Sequence, residues 1–215
     1  MLTLAFDTNF SGFSLALASD DKIIYQNAIF ENGRQSELLI PEIEKLLQIN
    51  KITYRDLDLI AATNGPGSFT GTRIGLTAAR TIKLATNLPL VLVNSCEAIA
   101  YKYRQKSEKI FVLIDAKADD FFYSHNGEEP QLVKLEDLLK ILPKEKFFLC
   151  GSGKNIAAEI LKTKNSQFEM SENTDEIEAV FVALLAYEKF KKSGEGSKNL
   201  DPLYLRSPKI SERKK

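Results

Sequence analysis

The sequence predicts an α/β protein of two related halves, each a mixed sheet flanked by helices. The first hundred residues show the order β-β-β-α-β-α-β-α, and a shorter run of the same kinds of element follows. Apolar residues make up 44% and charged residues 27% of the 215 positions, which suits two soluble domains with a core each. We therefore predict an N-terminal domain at 1–104, a smaller C-terminal domain at 105–206, and a polar, disordered tail at 207–215.

Apolar runs and helical stripes define the elements of the first half. Three short apolar segments separated by turn residues predict an antiparallel meander at the start of the chain. An apolar stripe from Leu39 to Leu47 predicts the first helix, and Pro41 should lie near its first turn or kink it. The predicted strands are 2–7, 13–18, 22–27, 57–64 and 90–94, and the predicted helices are 35–47, 72–86 and 97–105.

The second half repeats the kinds of element but no recognisable residue pattern. Its last helix is the most regular, because Ile177, Val180 and Phe181 begin a stripe at i, i+3 and i+4 spacing. The predicted strands are 110–115, 121–124 and 147–150, and the predicted helices are 135–142, 154–162 and 175–192.

Charge and cysteine content exclude several classes of protein. The chain carries 29 basic and 29 acidic residues, whereas a protein that grips nucleic acid unaided usually has a basic excess. Cys96 and Cys150 lie in unrelated contexts, so no disulfide framework follows, and a reducing cytoplasm fits them best. We expect no signal peptide and no membrane span, since the apolar runs stop well short of about 20 residues.

Two turns could form an anion-binding site. One follows the first strand and begins with an aspartate, a residue that can hold hydrated Mg²⁺. The other is a glycine-rich loop before the second helix, whose N-terminus attracts anions. Ordinary turn formation is the better explanation of the first segment on its own, and helix capping is a sufficient explanation of the second. The candidate residues for a vestigial phosphate or anion loop are Asp7, Thr8, Gly67, Ser68 and Thr70.

Other catalytic motifs fail on spacing. The segment 151–155 follows a strand like a phosphate-binding P-loop, but Phe148 and Asn155 stand where that motif needs glycine and Ser or Thr. His125 is the only histidine, which makes a Ser-His-Asp triad or a histidine metal site hard to assemble. We therefore predict no catalytic residue, no metal site and no cofactor.

Five segments together resemble one protein family. The run at 65–75, Gly-Pro-Gly-Ser-Phe-Thr-Gly-Thr-Arg-Ile-Gly, is similar to the signature of the TsaB (YeaZ) proteins, subunits of the bacterial machinery for threonylcarbamoyladenosine in tRNA. The other matches spread over nearly the whole chain: Asp7-Thr8, 36–41, 115–117 and 202–206.

The resemblance implies an actin/hexokinase-like (ASKHA) fold without an active site. The catalytic relative TsaD carries a His-x-x-x-His metal pair after the strand that follows the glycine-rich loop. Ser95 and Ile99 stand at those two positions here, and isoleucine cannot bind a metal. The chain would then be a non-catalytic paralogue.

The resemblance also implies the partners. TsaB proteins pair with TsaD, which is called their dimerisation role, and they help recruit the ATPase TsaE. The resemblance implies that tRNA is bound only through the complex. Pairing in the family uses the two N-domain helices, here 35–47 and 72–86. Without TsaD the same surface is expected to form a homodimer. The predicted interface residues are Leu38, Leu39, Glu42, Thr72, Leu76, Ala79 and Arg80.

Two alternatives stay open at this point. One is a stand-alone ATP-binding enzyme of the same fold, a sugar-kinase-like protein or an ATPase, that uses the anion loop for phosphate. The other is a peptidase, against which the missing metal pair and the lone His125 argue.

Overall fold

The computed structural model describes residues 1–30, 33–143, 145–163 and 167–206. The side chains of residues 139 and 163 are not described, and the tail predicted at 207–215 lies outside the described residues. Two five-stranded mixed sheets, each flanked by helices, form two lobes. None of the helices in these ranges is long and apolar enough to cross a membrane.

The first lobe has the strand order β3-β2-β1-β4-β5. Strands β1 to β3 form the predicted antiparallel meander, and β4 and β5 join β1 in parallel. Its elements are β1 (Leu2–Asp7), β2 (Phe13–Ser19), β3 (Lys22–Ile29), α1 (Gln35–Ile49), β4 (Leu59–Thr63), α2 (Phe69–Thr86), β5 (Leu90–Val93) and α3 (Ser95–Tyr103), with a 3-10 turn at Tyr54–Asp56.

The second lobe has the order β10-β9-β6-β7-β8, with the same antiparallel and parallel pairings in a smaller sheet. Two of its strands, β8 and β10, were not predicted because they are short and largely exposed. The remaining elements are β6 (Ile110–Asp115), β7 (Asp120–His125), β8 (Gln131–Lys134), α4 (Leu135–Ile141), β9 (Phe147–Cys150), α5 (Lys154–Thr163), β10 (Phe168–Met170) and α6 (Ala179–Ser193).

The structure has three apolar cores, of which the middle one joins the two lobes. Helices α1 and α2 cover one face of the first sheet through residues such as Leu39 and Leu76, packed against Leu4 and Leu15. A middle core lies between the two sheets and contains α3 and α6. The third core packs α4 and α5 on the far face of the second sheet. Because the middle core takes residues from both sheets, neither lobe buries its inner face without the other.

Helix α6 belongs spatially to the first lobe, although it follows the second sheet in the chain. It packs on β1, β2, β4 and β5. The buried Ser14 side chain joins β2 to its start: the hydroxyl donates to Ile177 O at 2.8 Å and accepts the Ala179 N–H at 2.9 Å. The sequence boundary near residue 104 therefore falls between the sheets but does not separate all the elements of the two lobes.

We expect Ser14→Ala to lower the free energy of unfolding by about 1–3 kcal/mol, because it leaves a buried carbonyl and a helix N-terminal N–H without their shared partner. Urea unfolding at fixed pH measures the change. Ser36→Ala on the exposed side of α1 is the control and should stay within about 0.5 kcal/mol of the native chain. Equal stability of the two variants would show that the Ser14 contact contributes nothing.

Candidate functional site

The two predicted anion turns pack directly against each other. The Ser68 N–H donates to Asn9 O at 2.8 Å, and the Thr8 hydroxyl donates to Gly71 O at 2.7 Å. The Thr72 hydroxyl also donates to the Asn9 side-chain oxygen. The turn after β1 is thus held by the glycine-rich loop and the first turn of α2.

Three glycines spaced four residues apart make this contact possible. A Cβ on Gly71 would lie 2.0 Å from Thr8 O, and one on Gly75 would lie 2.3 Å from the Thr8 hydroxyl. A Cβ on Gly67 would lie 2.7 Å from Asn9 O. Because real Cβ atoms do not approach backbone so closely, Gly67 and Gly71 need glycine; a side chain on Gly75 would displace the Thr8 hydroxyl from its place. The glycine pattern of the signature is explained by helix-on-turn packing.

Asp7 lies beneath this contact and is almost fully buried. Burial raises the pKa of its carboxyl to about 7, although hydrogen bonds from the Thr63 hydroxyl and the Asn9 N–H act to lower it. The carboxyl of Asp7 and the hydroxyl of Thr8 are therefore committed to contacts inside the chain.

Gly67 and Ser68 of the predicted anion loop border an inter-lobe cavity of about 490 Å³, whereas Thr70 lies outside its lining. Ser68 caps α2, its hydroxyl accepting the Gly71 N–H at 3.1 Å, and both Ser68 and Thr70 are exposed. So the structure brings Asp7, Thr8, Gly67 and Ser68 into one cluster, but only the α2 end of the cluster reaches solvent. The cavity is lined by the start of α2, the turn between β6 and β7, and residues 203–206.

The glycine-rich turn at 151–153 lies beside a buried ion pair between Lys154 and Asp175, and the Gly151 N–H donates to the Asp175 carboxylate at 2.8 Å. Lys154 donates to the Ser171 hydroxyl at 2.8 Å and to Asp175 at 2.7 Å, and both charged side chains are nearly inaccessible. Burial by itself would raise the pKa of Asp175, but hydrogen bonds from Lys154, Ser171 and Tyr103 outweigh it and hold that pKa below its usual value. The lysine is thus bound inside the chain, away from any phosphate site.

Ser95 and Ile99, the positions compared above with a metal pair, form the buried start of α3. The Ser95 N–H donates to Gly65 O at 2.8 Å, and its hydroxyl accepts the Asn9 side-chain amide at 3.3 Å. Among the described residues no group of three or more His, Cys, Asp or Glu side chains could hold a metal ion.

Four of the predicted interface residues are corrected by the structure. Leu39, Thr72, Leu76 and Ala79 are at most 3% exposed, because their sides of α1 and α2 face the sheet and the β1–β2 turn. They offer a second protein no side-chain surface. The remaining three stay available: Leu38 and Glu42 are half-buried and Arg80 is exposed.

The outward faces of α1 and α2 carry residues that the sequence reasoning did not select. Leu84 is 86% exposed, Ile49 57% and Ile40 42%. Helix α2 contains no acidic residue, and its outward side carries Arg73 and Arg80 beside small, uncharged residues such as Thr77. The sequence held one signal for this face, since α2 has apolar residues on more than one side, but only the packing shows which side is free.

The comparisons with known proteins agree with this architecture. The family model described as TsaD, tRNA N6-adenosine threonylcarbamoyltransferase, matches residues 32–192. The tRNA threonylcarbamoyladenosine biosynthesis protein TsaB of Buchnera aphidicola subsp. Schizaphis graminum is 30% identical over 169 residues, which cover 71% of this chain and 79% of that protein. The chain belongs to the TsaB family. It lies within the wider group whose family model is named for TsaD.

Solved structures show the same fold. YeaZ from Pseudomonas aeruginosa superimposes with a TM-score of 0.79 at 20% identity, covering 95% of this TsaB-family chain and 99% of that one. The ROK hexokinase from Thermus thermophilus matches with a TM-score of 0.55 at 12% identity, covering 89% of this chain and all of the other. These likenesses establish the actin/hexokinase-like fold.

Asp7 predicts a specific pH dependence. Its pKa of about 7 in the folded chain lies above the ordinary value of 3.8, so folding takes up a proton between these pH values. The free energy of unfolding should therefore fall as the pH rises from about 4 to about 7. Asp7→Asn keeps an acceptor for Thr63 but does not titrate.

Urea unfolding of both chains between about pH 4.5 and pH 8 tests this. The variant should gain stability relative to the native chain as the pH rises. A constant difference across that range would contradict the assignment of a raised pKa to Asp7.

Proposed function

We propose that this chain is a non-catalytic subunit in the biosynthesis of threonylcarbamoyladenosine in tRNA, where it pairs with TsaD and helps recruit TsaE. The observation that carries the proposal is the match to a TsaB protein named for that pathway, which covers 71% of this chain and 79% of that protein. On this proposal the chain works in the cytoplasm and meets tRNA only within the complex.

The hydrogen bonds made by the polar groups of the turn after β1 support a non-catalytic role. The Asp7 carboxyl accepts hydrogen bonds from Thr63 and Asn9, and the Thr8 hydroxyl donates to Gly71. A phosphate or metal at this turn would have to displace buried contacts that hold α2 in place. Ser95 and Ile99 are likewise packed inside the first lobe.

The outer faces of α1 and α2 are the surface proposed for pairing. Their sheet-facing sides are filled, so Ile40, Ile49 and Leu84 are left in solvent by the free chain. Burying one such side chain fully is worth about 1.5–3 kcal/mol. Small residues at Thr77 and Thr81 let a partner helix approach α2 closely.

Charge favours a partner that differs from α2 itself. The charged residues of α2 are all basic, namely Arg73, Arg80 and Lys83, and of these Arg80 is paired with Asp201. Helix α1 contributes Glu37 and Glu42 beside it. In a homodimer that stacked α2 on α2 the basic residues would approach one another. A partner with acidic or neutral residues opposite α2 avoids this repulsion, so the homodimer should be weaker than the TsaD complex.

Leu84→Glu should weaken binding to TsaD by about tenfold or more, because it places a charge in the proposed interface while changing no core contact. Isothermal titration of the purified chain with TsaD from the same organism gives the dissociation constants. Ile156→Glu, at a 45% exposed apolar position on α5 of the second lobe, is the control and should bind like the native chain. Equal affinities for both variants would place the interface elsewhere.

The variant Leu76→Glu distinguishes loss of folding from loss of the binding surface. Because Leu76 is buried, a glutamate there should unfold the first lobe, and any loss of TsaD binding would come with loss of circular dichroism and cooperative melting. Leu84→Glu should keep both signals. A folded Leu76→Glu chain that fails only in binding would contradict the burial assigned to Leu76.

The competing hypothesis of a stand-alone ATP-dependent enzyme has its own test. Calorimetry of the isolated chain with Mg-ATP should show no tight binding, and the chain without TsaD and TsaE should transfer no threonylcarbamoyl group to tRNA. Turnover of ATP, or modification of tRNA, by the chain alone would overturn the proposal.

A further inference from the structure

The segment after α6 runs back across both lobes and is here called the C-terminal strap (residues 197–206). It begins on the edge of the first sheet, where the Ser197 N–H donates to Leu90 O and its hydroxyl accepts the Leu92 N–H, both at 2.8 Å. Further along, the Leu203 N–H donates to Asn64 O at 2.8 Å. The strap thus follows the edge of β5 and the end of β4 toward the inter-lobe cavity.

The middle of the strap contacts α2. Arg80 reaches Leu200 O and pairs with Asp201 at 3.1 Å. Near the start of the helix, Tyr204 stacks on Phe69 with ring centroids 5.1 Å apart, and Arg73 lies 3.7 Å above the Phe69 ring.

The contacts among Phe69, Arg73 and Tyr204 lie at the surface. Arg73 donates to the Tyr204 hydroxyl at 2.8 Å, and the aromatic side chains of Phe69 and Tyr204 are each about two-fifths exposed. Phe69, Arg73 and Arg80 belong to the same outward side of α2 as Leu84. A protein that covers this side of α2 must therefore touch the strap or the side chains that hold it.

The end of the strap holds the second lobe. The Arg206 guanidinium donates to Ala116 O at 2.7 Å and forms an ion pair with Asp120. Both side chains are mostly buried, so this charge-assisted contact is screened less than a surface pair. Its target is the β6–β7 turn (residues 115–120), which forms one wall of the inter-lobe cavity.

The β6–β7 turn has a backbone that needs such support. Lys117, Ala118 and Asp119 have φ values of 66°, 56° and 62°, three successive non-glycine residues in the left-handed region. Such residues persist only where surrounding contacts over-determine them. The contacts here are the Arg206 clamp, the Asp115 carboxyl accepting the Lys117 N–H at 2.7 Å, and the Leu135 N–H donating to Asp119 O at 2.9 Å.

We propose that the C-terminal strap is a mechanical link between the pairing face of α2 and the β6–β7 turn, so that a protein bound on α2 alters the freedom of that turn across the inter-lobe cavity. The link rests on the proposed function in one respect, namely that TsaD occupies the outer face of α2. The physical part of the link does not need that assumption, since Arg206 joins the turn to a strap already held by α2 in the free chain.

Hydrogen exchange of the free full-length chain tests the first half of the proposal. Arg206→Gln should raise exchange at the amides of residues 116–121 by about tenfold, the fold-change expected from losing a charge-assisted hydrogen bond. Exchange in α6 should stay unchanged. Asp120→Asn removes the ion pair from the other side and should give the same pattern more weakly, which covers the case that Arg206→Gln folds poorly.

A matched control comes from the same lobe. Lys140→Gln breaks the exposed Lys140–Asp137 pair on α4 and should leave the turn at its native exchange rate. Native rates at 116–121 in both Arg206→Gln and Asp120→Asn would overturn the proposal, as would an equal acceleration in Lys140→Gln.

The second half is tested in the complex with TsaD. Binding should change exchange at 116–121 in the native chain and leave that region unchanged in Arg206→Gln, with both chains protected along α2. An identical response of the turn in both chains would overturn the coupling. Absence of any complex with the native chain would contradict the proposed function and the coupling to pairing, whereas the free-chain experiment would still report whether Arg206 holds the turn.

Discussion

The close approach of α2 to the turn after β1 governs the first lobe. Gly67, Gly71 and Gly75 lie on one side of the loop and helix, and each is within a Cβ distance of Thr8 or Asn9 that only glycine permits. This contact sets the height and direction of α2 over the sheet. It also buries Asp7, the only carboxyl at that turn, and so turns a potential ligand into a structural group. The packing that positions the helix therefore also closes the Asp7 carboxyl off from solvent.

The position of α2 then decides what the molecule can offer to other proteins. With its glycine side against the turn and its Leu76 side against the sheet, the remaining side faces solvent. That side meets the outward face of α1 and the C-terminal strap. It combines exposed apolar and small residues with the basic side chains of Arg73 and Arg80, beside a segment that reaches the second lobe.

The middle core and the strap both join the two lobes. Helix α6 follows the second sheet in the chain yet packs on the first, and Ser14 binds the start of this helix from β2. The strap continues from α6 and ends at Arg206 on the β6–β7 turn. Covalent continuity, a shared core and the Arg206 contact connect the two lobes of this chain.

The sequence alone determined most of the local structure and the family. Alternating and helical apolar patterns predicted the meander, α1, α2 and α6 within a few residues, because hydrophobic periodicity depends only on near neighbours. The glycine-rich signature and its companions identified the TsaB resemblance. Only the tertiary structure decided which apolar residues of α2 are buried, since a helix with apolar residues on several sides gives no preferred face until a sheet is placed beside it. For the same reason Leu76 and Ala79 lie in the core, Leu84 lies in solvent, and α6 joins the first lobe: each outcome depends on contacts between residues far apart in the chain.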